Sequence, residues 1–251
     1  QSVLDRNLIR SSEDAFVDQL FACAPDHGCA VLHASAPRAV VDLNRNNTEL
    51  DSAVITGVTK SVYTPRVLSG LGVIPRVVSN SRAIYRGKLT LDEATKRLDQ
   101  YWRPYHTRLQ SLLSAAQASF GQAILIDCHS MPREALDGTF RAGQKRPEII
   151  IGDRFGASAS RYIVDGIQDI LTQAGFTVSR NMPFAGAYIT QHYGRPSQRQ
   201  HAVQLEIDRS LYMDEATLRP HAGFAQLCDQ LDPVVAKLAD LGRACDRLAA
   251  E

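Results

Sequence analysis

Long apolar runs are missing from this sequence, and so is any surplus of charge. No stretch approaches the roughly 18 consecutive apolar residues that a membrane-spanning helix needs, and no signal-peptide pattern opens the chain. Twenty-eight basic residues stand against 27 acidic ones, a formal net charge of +1. A nucleic-acid footprint needs Lys and Arg gathered in excess on one face, so neither nucleic acid nor membrane is expected as a partner. Cysteine is scarce. Cys23, Cys29, Cys128, Cys228 and Cys245 are odd in number, irregular in spacing and form no Cys-x-x-Cys pair. That argues against a disulfide framework or a thiolate zinc knuckle, and it fits a reducing, cytoplasmic compartment. Internal repeats, low-complexity tracts and charge blocks are absent as well. Gly70-Leu71-Gly72 and Gly152-Asp153-Arg154-Phe155-Gly156 match neither phosphate-loop pattern, and no serine sits in a glycine-framed elbow. Nucleotide chemistry and serine hydrolysis are therefore not expected.

What remains is ordinary globular composition, 44% apolar and 22% charged, in 251 residues. A chain of that length buries roughly three quarters of its extended surface. No linker is visible, so residues 1–251 read as a single domain. Phe16, Val17, Leu20 and Phe21 are spaced as on a helix, giving one from about Asp14 to Ala24 that begins as early as Ser11. Cys29 to His33 and Val40 to Leu43 read as short strands, and Asp51 to Arg86 as loops with brief strands. Thr90 and Glu93 form a capping box at the head of the clearest helix, whose apolar stripe runs to about Phe120. Pro104 is expected to kink or divide it. Ala123 to Asp127, Pro147 to Ile151, Phe176 to Ser179 and Val203 to Asp208 read as strands, with helices at Ser158 to Ala174 and Leu231 to Leu248. Near-continuous apolar strands alternating with helices indicate an α/β fold on a mostly parallel or mixed sheet.

Open α/β sheets bind ligands at the carboxyl ends of their strands, and three polar clusters fall there. His129, in Asp127-Cys128-His129-Ser130, follows an apolar strand and suits a metal ligand or general base. Position alone is equally consistent with a histidine satisfied by backbone groups. In Val203 to Arg209, alternation puts Val203, Leu205 and Ile207 on one face and Gln204, Glu206 and Asp208 on the other. A carboxylate in so apolar a strand is costly unless paired, which makes Glu206 a candidate for proton transfer, or the partner of Arg209. Asp42-Leu43-Asn44-Arg45 offers an amide and a guanidinium suited to a carboxylate, or only polar turn residues. Asn181 to Tyr188 and Gln191 to Pro196 read as an aromatic-bearing substrate loop, with His192, Arg195 and His201 as further contacts.

In order along the chain, Ser12-Glu13-Asp14 with Phe16-Val17-Asp18, Val41-Asp42-Leu43-Asn44-Arg45, Ile126-Asp127-Cys128-His129-Ser130 and Gly152-Asp153-Arg154 resemble the N-formylglutamate amidohydrolase family. So do Pro183-Phe184-Ala185-Gly186-Ala187-Tyr188, His192-Tyr193-Gly194-Arg195-Pro196 and His201-Ala202-Val203-Gln204-Leu205-Glu206. The resemblance covers about Ser11 to Glu215. It implies hydrolysis of N-formyl or related N-acyl amino acids, such as N-formyl-L-glutamate, as at the end of histidine degradation. It also implies a three-layer α/β sandwich with a mixed, mostly parallel sheet, similar to the zinc carboxypeptidases. Zinc or another divalent transition metal is then expected, held by His129 and Asp14, with Glu13 and Asp18 as rival carboxylates. Glu206 would activate water and protonate the leaving amine, with Arg45 or His201 at the oxyanion. Asn44, Arg45, His192, Arg195 and Arg209 would bind a small anionic N-acyl amino acid. A monomer or small homo-oligomer is expected.

The family also carries Pro-His-Ser-Gly or Pro-His-Ala-Gly ahead of the Ser12 region, so an N-terminal strand with a third metal ligand is expected upstream of Gln1. Ala187 and Gln191 stand where the family has glycine and arginine, and Gln191 removes a positive charge from the substrate loop. Two rival readings are a cysteine amidase using Cys128 with His192 or His201, and a degenerate small-carboxylate-binding protein.

Overall fold

The structure, a computed structural model, describes residues 2–59, 63–140 and 145–243. Its helices and strands begin with α1 (Arg6–Arg10), α2 (Val17–Leu20), β1 (Ile55–Thr56), α3 (Pro65–Leu68), β2 (Val77–Val78), β3 (Arg82–Ala83) and β4 (Leu89–Thr90). They continue with α4 (Leu91–Arg97), α5 (Arg103–Phe120), β5 (Ala123–Met131), β6 (Ile149–Gly152), α6 (Arg161–Gln173) and β7 (Val178–Arg180). The last are α7 (Tyr188–Tyr193), β8 (Gln200–Asp208), β9 (Met213–Asp214), β10 (Arg219–Pro220) and α8 (Gly223–Arg243). Two compact units result: Gln1–Glu13 with Leu32–Gln110, and Asp14–Val31 with Ser111–Glu251.

The first unit is built from short elements and turns. Val41, Val54, Ile55, Val73, Ile74, Leu89, Ala94 and Leu98 make its apolar cluster. The strand expected at Val40 to Leu43 is absent. Val41 is buried, but Asp42 N–H donates to Val73 O at 2.8 Å and the Asp42 carboxylate accepts from Asn44 N, which folds the segment into a turn. Apolarity there reflects core packing, not a ladder. Thr90 caps α4 as expected, with both halves of the capping box formed. Pro104 does not divide the helix. A five-residue π-helical turn, Leu98–Trp102, precedes α5 and loosens the backbone where the proline ring would clash.

The second unit carries a four-stranded sheet in the order β5-β8-β6-β7. β5 and β8 are parallel, β8 and β6 antiparallel, β6 and β7 parallel, so the sheet is mixed. Ile149 and Ile151 of β6 and Val203, Leu205 and Ile207 of β8 form one face, packed with Ile163, Val164, Ile167 and Leu171 of α6 and Leu227, Leu231 and Val234 of α8. Each fully buried aliphatic side chain there contributes about 1.5–3 kcal/mol. The expected helix from Asp14 to Ala24 shrinks to the four residues of α2, because Phe16 takes a left-handed backbone (φ 65°) that no regular helix contains. Cys29 to His33 is irregular, not a strand. α8 starts at Gly223, eight residues before Leu231, and Cys245 and the remainder of the expected terminal helix lie outside the described residues. Among the described residues, no helix is long and apolar enough to cross a membrane.

Candidate active site

β5 is longer than its apolar core suggests. It runs through Met131, so His129 lies within the ladder and not past its end. In the parallel pairing of β5 with β8, His129 is the direct register partner of Glu206. Register partners on neighbouring strands stand about 4.8 Å apart with side chains on the same face. Residues 77 apart in sequence, His129 and Glu206, thereby become neighbours on one rigid surface.

Both imidazole nitrogens of His129 are held by carboxylates. Nδ1 is 2.9 Å from Asp14 Oδ2, and Nε2 is 3.1 Å from Asp127 Oδ2. Burial opposes charge on the ring, yet the charges and hydrogen bonds of Asp127 and Asp14 outweigh it and hold the imidazolium well above the usual histidine range. Asp14 is fixed in turn. Its Oδ1 accepts from Ser130 N–H (2.8 Å) and Ser130 Oγ (3.2 Å), and that hydroxyl accepts from Arg209 Nε (3.1 Å). Tyr212 OH donates to Ala15 O at 2.9 Å and pins the adjoining backbone. Of the rival carboxylates, Glu13 pairs with Arg10, and Asp18 is exposed.

Glu206 is buried and accepts from Gln204 Nε2 at 2.6 Å. Gln204 Oε1 accepts from Ala187 N–H at 3.0 Å. That link depends on Gly152 at the end of β6: a Cβ there would stand 2.8 Å from Gly186 N and 2.9 Å from Ala185 C. Only a residue without a side chain lets the Ala185–Ala187 backbone approach the sheet so closely.

The other expected residues are placed as follows. Arg209 is buried on the turn after β8 and acts on Asp14 through Ser130. His192, on α7, stacks on Tyr188 with ring centroids 5.1 Å apart, and burial followed by the charge of Arg195 lowers its pKa. Arg195 is exposed next to α7. His201 is not brought to the pair. It lies five residues from Glu206 on β8, on the face that packs against α6, and its Nδ1 accepts from Ser160 N–H at 3.2 Å. Asn44 and Arg45 belong to the first unit. There Arg45 donates from Nε to Leu71 O (3.0 Å) and from Nη1 to Asn44 O (2.7 Å), and Nη2 lies 3.5 Å from Asp42. Its guanidinium is thus engaged in holding a turn. Cys128 faces away from His129, as strand neighbours do, with Sγ against Ile126 O at 3.8 Å. Burial, then Asp127 and Asp14, push its thiol far above the ordinary range, the reverse of an activated nucleophile.

A family model described as N-formylglutamate amidohydrolase matches residues 1–213. The chain belongs to the N-formylglutamate amidohydrolase family. An N-formylglutamate deformylase of Pseudomonas putida is 33% identical over 203 residues, 80% of this chain and 71% of that protein. One from Pseudomonas aeruginosa is 30% identical over 230 residues, 90% of this chain and 80% of that protein. The crystal structure of the N-formylglutamate amidohydrolase from Ralstonia eutropha matches with a TM-score of 0.91 at 32% identity, covering 97% of this chain and 88% of that one.

Within this amidohydrolase family frame, three contributors had little or no signal in the sequence. Ser130 carries Asp14, and only its place in the Asp-Cys-His-Ser string hinted at a role. Gln204 holds Glu206, which the two-residue alternation allowed but did not single out. Arg133 donates from Nη1 to the fully buried Asp208 on the same face of β8 as Glu206, a pairing across 75 residues that no local pattern shows.

The donor types at His129, an imidazole and a carboxylate, are those that a divalent transition metal takes. Asp127 on Nε2 stands where a carboxylate orients a metal-bound imidazole, and Nδ1, hydrogen-bonded here to Asp14, would give up its proton to a bound ion. His129 Nδ1 and Asp14 supply two donors, and catalytic zinc sites commonly use three protein ligands. Among the described residues, no third His, Cys, Asp or Glu side chain joins them in one cluster.

Proposed function

We propose that this chain hydrolyses N-formyl amino acids, N-formyl-L-glutamate first among them, to formate and the free amino acid, with a divalent metal, zinc by preference. The observation that carries this reading is the registered pair His129 and Glu206, with a carboxylate on each nitrogen of the histidine. The names of the relatives supply the substrate.

His129 Nδ1 and Asp14 would hold the ion, which when bound supplies a Lewis acid for the formyl oxygen and lowers the pKa of attacking water. Asp127 keeps the ring in place on the far nitrogen. Glu206 takes one proton from the attacking water as its oxygen adds to the formyl carbon. It then delivers that proton to the amide nitrogen as the C–N bond breaks, leaving formate and a free amine. The Gln204 amide fixes the carboxylate for both transfers. His192 on α7 and Arg195 beside it are the candidates for the substrate's carboxylates, and Arg209 acts by positioning Asp14.

The same arrangement, a metal-binding histidine beside a proton-transfer glutamate on neighbouring strands, supports a zinc-carboxypeptidase-like core. A family match that runs through both compact units supports reading them as one catalytic domain. Described cysteines that are all free support a cytoplasmic setting.

The test is formate release from N-formyl-L-glutamate by the purified chain, before and after chelation and with zinc restored. Turnover lost to the chelator and recovered with zinc is expected. Chelator-resistant turnover that disappears in Cys128→Ala would overturn the metal mechanism.

A further inference from the structure

A second histidine–carboxylate cluster lies in the same unit, on the turn that follows α2. Cys23, His27 and Asp232 each offer one donor, and the sulfur, imidazole nitrogen and carboxylate oxygen all lie within 4.8 Å of one another. Among the described residues no other group of three or more His, Cys, Asp or Glu side chains is so arranged. We propose that Cys23, His27 and Asp232 form a second metal site, for zinc or a similar borderline divalent ion, that fastens the Ala24–His27 turn to α8.

The local chain builds this cluster. Ala24–His27 is a 3₁₀ turn with Pro25 at its start, closed by Gly28 in the left-handed conformation (φ 79°). Residues four apart across that turn, Cys23 and His27, therefore present their side chains together. Asp232 comes from α8, with Oδ1 3.0 Å from His27 Nε2. The turn is tied to the end of the same helix as well, where Arg243 Nη2 donates to His27 O at 2.6 Å. The donors are thus positioned by contacts that do not require the ion.

The donor types favour a borderline metal. Donors around tetrahedral zinc stand roughly 3.3–3.8 Å apart, given its bond lengths of about 2.0–2.3 Å. At 3.0 Å the His27–Asp232 pair stands slightly closer than that, and the Cys23 sulfur lies within 4.8 Å of both, so small shifts of the three side chains bring them to zinc spacing. Thiolate and imidazole select zinc-like ions over magnesium or calcium. Half-exposed placement leaves a fourth position open to water. A catalytic thiol is the rival chemistry, and its surroundings disfavour it. Burial, and then the Asp232 carboxylate beside it, push the Cys23 thiol up from its ordinary range, the reverse of an activated nucleophile. Metal binding replaces the thiol proton: one S–H bond breaks, one sulfur–metal bond forms, and the proton leaves to solvent.

Cobalt(II) titration of the whole chain tests this. Sulfur is what separates this site from the His129 pair, whose neighbour Cys128 points away. The expected result is a near-ultraviolet thiolate-to-cobalt charge-transfer band that persists in Cys128→Ser and is lost in Cys23→Ser. His27→Gln and Asp232→Asn should weaken cobalt binding at this site at least tenfold, and equilibrium dialysis should count one zinc fewer in Cys23→Ser than in the wild-type chain. No charge-transfer band in the wild-type chain, a band that survives Cys23→Ser, or equal zinc counts would overturn the proposal.

Discussion

The two faces of β8 are made from one strand whose nine residues are all buried, yet they differ in kind. The odd face, with Val203, Leu205 and Ile207, meets aliphatic side chains of β6, α6 and α8. The even face, with Gln204, Glu206 and Asp208, meets an amide, a backbone N–H and an arginine. Burial therefore does not distinguish the site from the core. Partnering does. A buried carboxylate without a partner costs several kcal/mol, so the even face is stable only because each polar group is supplied with one. One face holds the unit together and the other is available for chemistry, and substitutions on each should fail in different ways.

The largest effect is expected on the even face. Glu206→Gln preserves shape and an oxygen to accept from Gln204, but it removes the carboxylate proposed to transfer the proton. Turnover should fall about 10²- to 10⁴-fold, while metal content and Tm stay near those of the unmodified chain. Wild-type turnover in Glu206→Gln would remove that residue from the mechanism. On the odd face the signature reverses. Leu205→Ala should cost about 2–5 kcal/mol in denaturant unfolding, with activity per folded molecule close to normal. If Leu205→Ala abolished activity in molecules still folded, the two faces would not be separable.

That division was partly legible in the sequence. Two-residue alternation in Val203 to Asp208 sorted the faces of β8 correctly, because a strand's side-chain period is fixed by backbone geometry. His129 and Glu206 could be nominated one at a time. Their adjacency could not, because register between β5 and β8 is a long-range property that no local pattern encodes. The same limit hid Ser130 and Arg133, whose roles come from what packs beside them. Errors fell where apolar residues serve a core without a regular backbone. Val40 to Leu43 reads as a strand and is a turn, and Asp14 to Ala24 reads as one helix but is broken by the left-handed Phe16. His201 was nominated with Glu206 because both lie in one motif, but five positions along a strand means opposite faces.

A smaller loss is expected one step away from the pair. Asp127 does not face the position that Asp14 shares with His129; it holds the far nitrogen. Asp127→Asn should lower metal affinity or turnover about 10- to 100-fold, and zinc content measured by dialysis should fall with it. Unchanged affinity would mean that the ring is oriented by packing alone, and the even face would owe less to its polar partners than the geometry implies.

The smallest expected effect sharpens the comparison from the odd side. His201 is buried there as a neutral ring whose Nδ1 accepts from Ser160 N–H, which a protonated ring cannot do. Burial, then the charge of Arg199, lowers its pKa below the ordinary value of 6.5. Between the lowered value and 6.5 the unfolded chain binds a proton that the folded chain does not, so stability rises with pH across that window. The contribution is complete above about 6.5 and is lost as pH falls through the folded value. His201→Gln keeps an acceptor for Ser160 but no titration. The stability gap between the two chains, followed by urea unfolding from about pH 7.5 down to about 5, across the histidine range, should shift against the unmodified chain as acid is added. Turnover per folded molecule should be alike at each pH. Parallel stability curves would show that His201 does not titrate with folding, and a turnover difference would place it on the side of the strand where the chemistry is.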